Sequence, residues 1–179
     1  MRKLFLAAVL SLGVFTFCHS ADAQGLGFGG FGGTSFGSSF GFSTISWSGP
    51  RYSPPARYDS RIDPSLVRAS RIADERAGSR SQMRCWHFVK AALVDAGAVH
   101  SCPTTAYADQ AGAELVSRHG FVQLHIRDPY DAPIGAVLVY GGHGAGHVEL
   151  RTSHGFASDY RSSWRCRYQL IGVYAKLVS

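Results

Sequence analysis

At 179 residues the chain is the right size for one domain with its own core plus terminal extensions. Its formal charge of +6 favours anionic partners. The arginines at 57, 61, 68, 71, 76, 80 and 84 recur without the aromatic interleaving of nucleic-acid readers, so they read as a solvated basic face and argue against a specific nucleic-acid reader.

Residues 1–23 have the pattern of a secretory signal peptide. Arg2 and Lys3 precede an apolar stretch from Leu4 to Phe17 that is short for a membrane span, and Ala21-Asp22-Ala23 offers a small-x-small cleavage site. The expected mature protein starts at Gln24, is exported to the periplasm or beyond, and has no stable membrane insertion after cleavage. Lipidation at Cys18 is the competing reading, but Phe15-Thr16-Phe17 is too bulky for the usual lipoprotein site. Residues 24–59 are rich in Gly, Phe, Ser and Pro. They offer little burial to offset the entropy of ordering, so a flexible linker is expected, with the phenylalanines as weak stickers. The folded domain is expected over 60–179.

Within that domain, Ser65 to Arg76 carries Leu66, Ala69, Ile72 and Ala73 on one helical face, with Pro64 in the first turn. A second helix places Cys85, Phe88, Val89, Ala92, Leu93 and Ala96 on one face and closes at Gly97, with Ser79 or Ser81 as N-cap. Cys85 then lies in the first turns, where orphan amides and the helix dipole favour a thiolate and can receive an oxyanion. A third helix is expected from Thr105 to Arg118, ending at Gly120, with Ala108, Ala111, Leu115 and Val116 inward.

After Pro133 the hydrophobic period changes to two. Strands are expected over 135–140, 147–152, 156–160 and 168–178, which makes the fold class α+β. A three-residue turn, Ser153-His154-Gly155, would put His147 and Asp159 on one face of a hairpin. A two-residue turn would send Asp159 to the other face. Glu149 also lies on the His147 face and competes as the acid that orients the histidine.

Removal of Cys18 leaves Cys85, Cys102 and Cys166, an odd number in an exported protein. A Cys102–Cys166 bridge, with Cys85 as the spare thiol, is the simplest pairing and would stabilise by ~4 kcal/mol. A thiol with a histidine and an acid is the constellation of a cysteine nucleophile. His143, His147 and His154 raise a metal site as a rival, but no HExxH or CxxC pattern accompanies them, so no metal or other cofactor is expected.

Cys85-x-x-Phe88-Val89 opening a helix, then Pro133-x-Gly135-x-Val137 and Gly146-His147-Val148, resembles the CHAP and NlpC-type cell-wall peptidases across roughly residues 80–160. The resemblance implies a papain-like α+β fold, with N-terminal helices packed on a C-terminal antiparallel sheet and the nucleophile at a helix N-terminus. It implies a cysteine hydrolase of peptide or amide bonds in peptidoglycan, acting as a monomer on stem peptides. By order and spacing the catalytic residues are Cys85, His147 and Asp159, with Gln82 a further oxyanion donor. Arg84 and Trp86-His87 depart from the NlpC pattern, which has an acid before the nucleophile and Ser-Gly after it. A catalytically inactive, basic envelope-binding module is the alternative.

Overall fold

The computed structural model describes residues 54–178 except His143. The expected signal peptide, with Cys18, and most of the expected Gly/Phe-rich linker lie outside the described residues. Helix α1, Pro64–Arg76, starts where Asp63 accepts the Ser65 amide at 2.8 Å and Pro64 supplies a preset φ. It buries Leu66, Ala69 and Ala73. Helix α2, Cys85–Asp95, lies against α1, and the Arg68 guanidinium clamps the two by donating to the Ala96 carbonyl at 2.7 Å. Its buried face includes Val89, Ala92 and Leu93.

Helix α3, Ala111–His119, begins later than expected, after a single 3₁₀ turn at 108–110. The Glu114 carboxylate accounts for the late start. It accepts the backbone amides of Thr104 at 2.6 Å and Thr105 at 3.0 Å, which holds that segment in a loop. Val116 is exposed, whereas Ala108, Ala111 and Leu115 are buried as expected. Gly112 is where α3 meets the sheet: a Cβ there would lie 2.3 Å from the Tyr174 ring.

The sheet has six antiparallel strands in the order β1-β6-β2-β3-β4-β5. They are β1 (Val122–Leu124), β2 (Val137–Tyr140), β3 (His147–Thr152), β4 (Gly155–Ala157), β5 (Arg161–Ser162) and β6 (Leu170–Ala175). Val137, Val139, Val148 and Leu150 join the main core shared with the helices, while Leu138, Tyr140, Phe156 and Val173 form a second cluster on the opposite face. By alternation His147, Glu149 and Arg151 share that second face. Among the described residues no helix is long and apolar enough to cross a membrane.

Two expectations are corrected here. The β3–β4 turn has two residues, since Thr152 pairs with Gly155 and Arg151 with Phe156. Odd positions therefore face even ones, and Asp159 falls away from the His147 face. The folded unit also begins before residue 60. The Pro54 carbonyl accepts from Arg151 at 3.2 Å, and the Arg57 carbonyl accepts the Ile134 amide at 2.9 Å.

Candidate functional site

Cys85 is the first residue of α2 and is half-buried. Neither Ser79 nor Ser81 caps the helix. The N-cap is Arg84, which makes no side-chain capping bond. His147 is the first residue of β3, at the end of the sheet, and Cys85 lies near enough to its ring to raise the imidazole pKa. His147 Nε2 lies 3.2 Å from Glu149 Oε2, and the other Glu149 oxygen accepts the Tyr140 hydroxyl at 2.7 Å. Tyr140 is the β2 residue paired with His147, and its ring centroid lies 6.0 Å from the imidazole. On the other side Tyr160 packs its ring at 6.0 Å.

A continuous line thus runs from Cys85 through His147 and Glu149 to Tyr140. His147 is 8% and Glu149 2% exposed, so the pair is shielded from water. Burial by itself would disfavour imidazolium. The neighbouring Cys85 and the hydrogen bond to Glu149, with the Glu149 charge, outweigh it and push the His147 pKa up to about 10. Tyr140 is held above the ordinary phenol range by burial and by the Glu149 charge, which keeps it a neutral donor.

Asp159 is also fully buried, but its carboxylate faces the segment that precedes Cys85. Oδ2 accepts the Gln82 amide at 2.6 Å, the Arg84 amide at 3.1 Å and the Ser81 hydroxyl at 3.1 Å, and Oδ1 accepts from Ser158 at 3.1 Å. Met83, between the two amide donors, has a left-handed φ of 60°, and the amides on either side of it converge on one oxygen. Burial opposes the charge, but these four donors hold the Asp159 carboxyl below its usual range. Gln82 is exposed in this loop, with its backbone amide committed to Asp159.

No protein-family profile matches the chain, and no curated protein does. Two solved structures of the type VI effector–immunity complex Tae3–Tai3 from Ralstonia pickettii each contain a chain of similar shape. For the native complex the identity is 20%, covering 62% of this chain and 98% of that one, with a TM-score of 0.49. For the selenomethionine form the values are 23%, 52%, 80% and 0.43. A likeness at that level is silent on activity.

The remaining sequence candidates fall elsewhere. Cys166 carries a free thiol, half-buried against the second cluster, so the expected Cys102–Cys166 bridge is not made. Burial pushes the Cys166 thiol pKa up. His154 sits at the hairpin tip and pairs with Asp74 at 3.0 Å, while His143 lies outside the described residues. Among the described residues no group of three or more His, Cys, Asp or Glu is placed to hold a metal. Sequence reasoning missed Tyr140 and Tyr160. Counting back across the 141–146 loop from His147 gives the Tyr140 pairing. Tyr160 follows once the hairpin turn is known to have two residues, because the β3–β4 register, carried on, places it opposite His147.

Proposed function

We propose that the protein is an exported cysteine hydrolase that cleaves peptide or amide bonds in peptidoglycan, with Cys85 as nucleophile, His147 as base and acid, and Glu149 as the orienting carboxylate. The observation that carries this reading is the line Cys85–His147–Glu149–Tyr140, with a half-buried thiol at the start of α2 and the buried His147–Glu149 pair behind it. The peptidoglycan assignment draws on the motif resemblance to CHAP and NlpC-type peptidases, the signal-like leader and the basic charge. The architecture, a helix-start thiol beside a histidine on an antiparallel sheet, fits a papain-like arrangement.

Glu149 occupies Nε2 of His147, which leaves Nδ1 for the thiol. The imidazole takes the Sγ proton, giving a thiolate–imidazolium pair stabilised by Glu149. Sγ attacks the carbonyl carbon, and the first-turn amides of α2 receive the oxyanion. His147 then protonates the leaving amine as the C–N bond breaks. Water, deprotonated by the same imidazole, hydrolyses the thioester and restores the thiol. The Gln82 side chain remains a candidate oxyanion donor. Asp159 acts through the 81–84 loop by fixing where α2 begins.

Cys85→Ala tests the reading, with muropeptides released from purified peptidoglycan followed by mass spectrometry. Loss of at least ~10³-fold in rate with an unchanged fold is expected. Undiminished release by the variant would end the proposal. A thiol-reactive probe adds a direct readout: Cys85 labels at mildly acidic pH in the wild type and much more slowly in His147→Ala. Absence of peptidoglycan digestion with retained binding would favour the envelope-binding alternative.

A further inference from the structure

A cleft of about 450 Å³ opens on the second face of the sheet, beside the candidate active site. That volume falls within the range of small-ligand sites, roughly 300–1,000 Å³. Its lining includes Arg127, Arg165 and Arg167, together with Tyr140, Cys166 and Tyr168, and no acidic residue. All three arginines are exposed, and none takes part in an ion pair among the described residues. Three uncompensated guanidinium groups around one concavity repel each other and favour an anion between them.

The segment that carries Arg165 and Arg167 is anchored. The Arg165 amide donates to the Tyr130 hydroxyl at 3.3 Å, and the Gly141 amide donates to the Gln169 carbonyl at 2.9 Å. The Tyr168 ring lies against Gly142, where an added Cβ would approach it to 3.1 Å. The cleft also touches the catalytic line directly. Tyr140 forms part of its wall and donates to Glu149 at 2.7 Å, and Glu149 holds His147.

We infer that the Arg127/Arg165/Arg167 cleft is a substrate subsite that binds a carboxylate of an acidic stem peptide and so seats the scissile bond at Cys85. The inference rests on the hydrolase reading and adds a substrate preference: peptides with a free carboxylate near the cleaved bond over their amidated forms. Guanidinium forks bind carboxylates through paired N–H donors, so amidation removes both the charge and the bidentate geometry.

The test uses the full-length chain carrying Cys85→Ala, so that peptide is bound but not consumed. Calorimetry compares a stem peptide with free carboxylates against the same peptide fully amidated. The free-carboxylate form is expected to bind at least about tenfold more tightly, and Arg127→Gln, Arg165→Gln and Arg167→Gln combined to erase the difference. Circular dichroism and thermal melting check that the triple variant folds. Equal binding of the two peptides, no binding of either, or a preference that survives the triple variant would each overturn the inference. Competition by inorganic phosphate at matched ionic strength, as effective as the peptide itself, would also overturn it by making the cleft a general anion site. The parent reading is scored separately by wild-type muropeptide release. Digestion without carboxylate preference sinks this inference alone, whereas arginine-dependent binding without digestion sinks the hydrolase reading and with it the seating of a scissile bond, leaving only a carboxylate-binding cleft.

Discussion

Glu149 and Asp159 are both buried carboxylates close to the thiol, yet they hold different atoms in place. Glu149 bonds a ring nitrogen, whereas Asp159 bonds backbone amides of the loop before α2. Their isosteric amides therefore separate the two roles by their effect on rate. Glu149→Gln is expected to lower kcat by roughly 10²–10⁴-fold, as loss of an orienting carboxylate does in hydrolytic triads, and also to cost stability, because buried His147 and Tyr140 lose a charged acceptor. Asp159→Asn is expected to lower stability by about 1–3 kcal/mol, because a charged acceptor of several buried donors is lost. Single-turnover rates, read beside urea melts that check folding, distinguish the two; a larger rate loss in Asp159→Asn than in Glu149→Gln would move the orienting role to Asp159. Titration of His147 gives a further check. Its folded pKa of about 10 lies above the ordinary value, so its contribution to stability is complete below about pH 6.5 and declines as pH rises through about 10. The stability gap between wild type and His147→Gln should narrow steadily over that window, and a gap that widens would contradict the assignment.

Among the elements, the two loops that deliver Cys85 and His147 carry the local strain. Gly146 immediately precedes His147 with φ of 70°, and a Cβ there would lie 2.5 Å from the Tyr140 carbonyl oxygen. Gly146→Ala is expected to cost more than the roughly 1–2 kcal/mol of a left-handed residue alone and to reduce activity by moving the start of β3. Urea denaturation with the activity assay measures both. Helices α1 and α2 were legible in sequence because their apolar residues repeat at helical spacing around short, well-marked ends. Strands β1 and β5 were not, since three and two residues are too few to show a period, and the partner of β1 lies far along the chain, in β6. The β3–β4 turn was misread by one residue, and with a period of two that single residue exchanges Asp159 for Tyr160 beside the imidazole.

Across the whole molecule, the segment before α1 is bound into the domain. Arg151 is fully buried, stacks at 4.6 Å over the Phe156 ring and donates to the Pro54 carbonyl at 3.2 Å. Further along, the Asp63 amide donates to the Lys176 carbonyl at 2.9 Å and the Val178 amide to the Arg61 carbonyl at 2.8 Å, so this segment pairs with the C-terminal end. A chain starting at Ser60 should be less stable than one starting at Gln24 by about 1–3 kcal/mol, since a buried guanidinium loses an acceptor. Equal urea midpoints for the two would show that the contact carries no net stability. The sequence by itself determined the α+β class, the positions of α1 and α2, and the candidacy of Cys85 and His147, because periodicity, glycine signals and motif order are local properties. Only the tertiary structure decided which carboxylate meets the imidazole. Asp159 and Glu149 differ in strand register and in reach along a strand, and both are set by a turn and by packing. The i, i+2 spacing of His147 and Glu149 is bridged because the two side chains on one face lean along the strand until Nε2 and Oε2 meet at 3.2 Å.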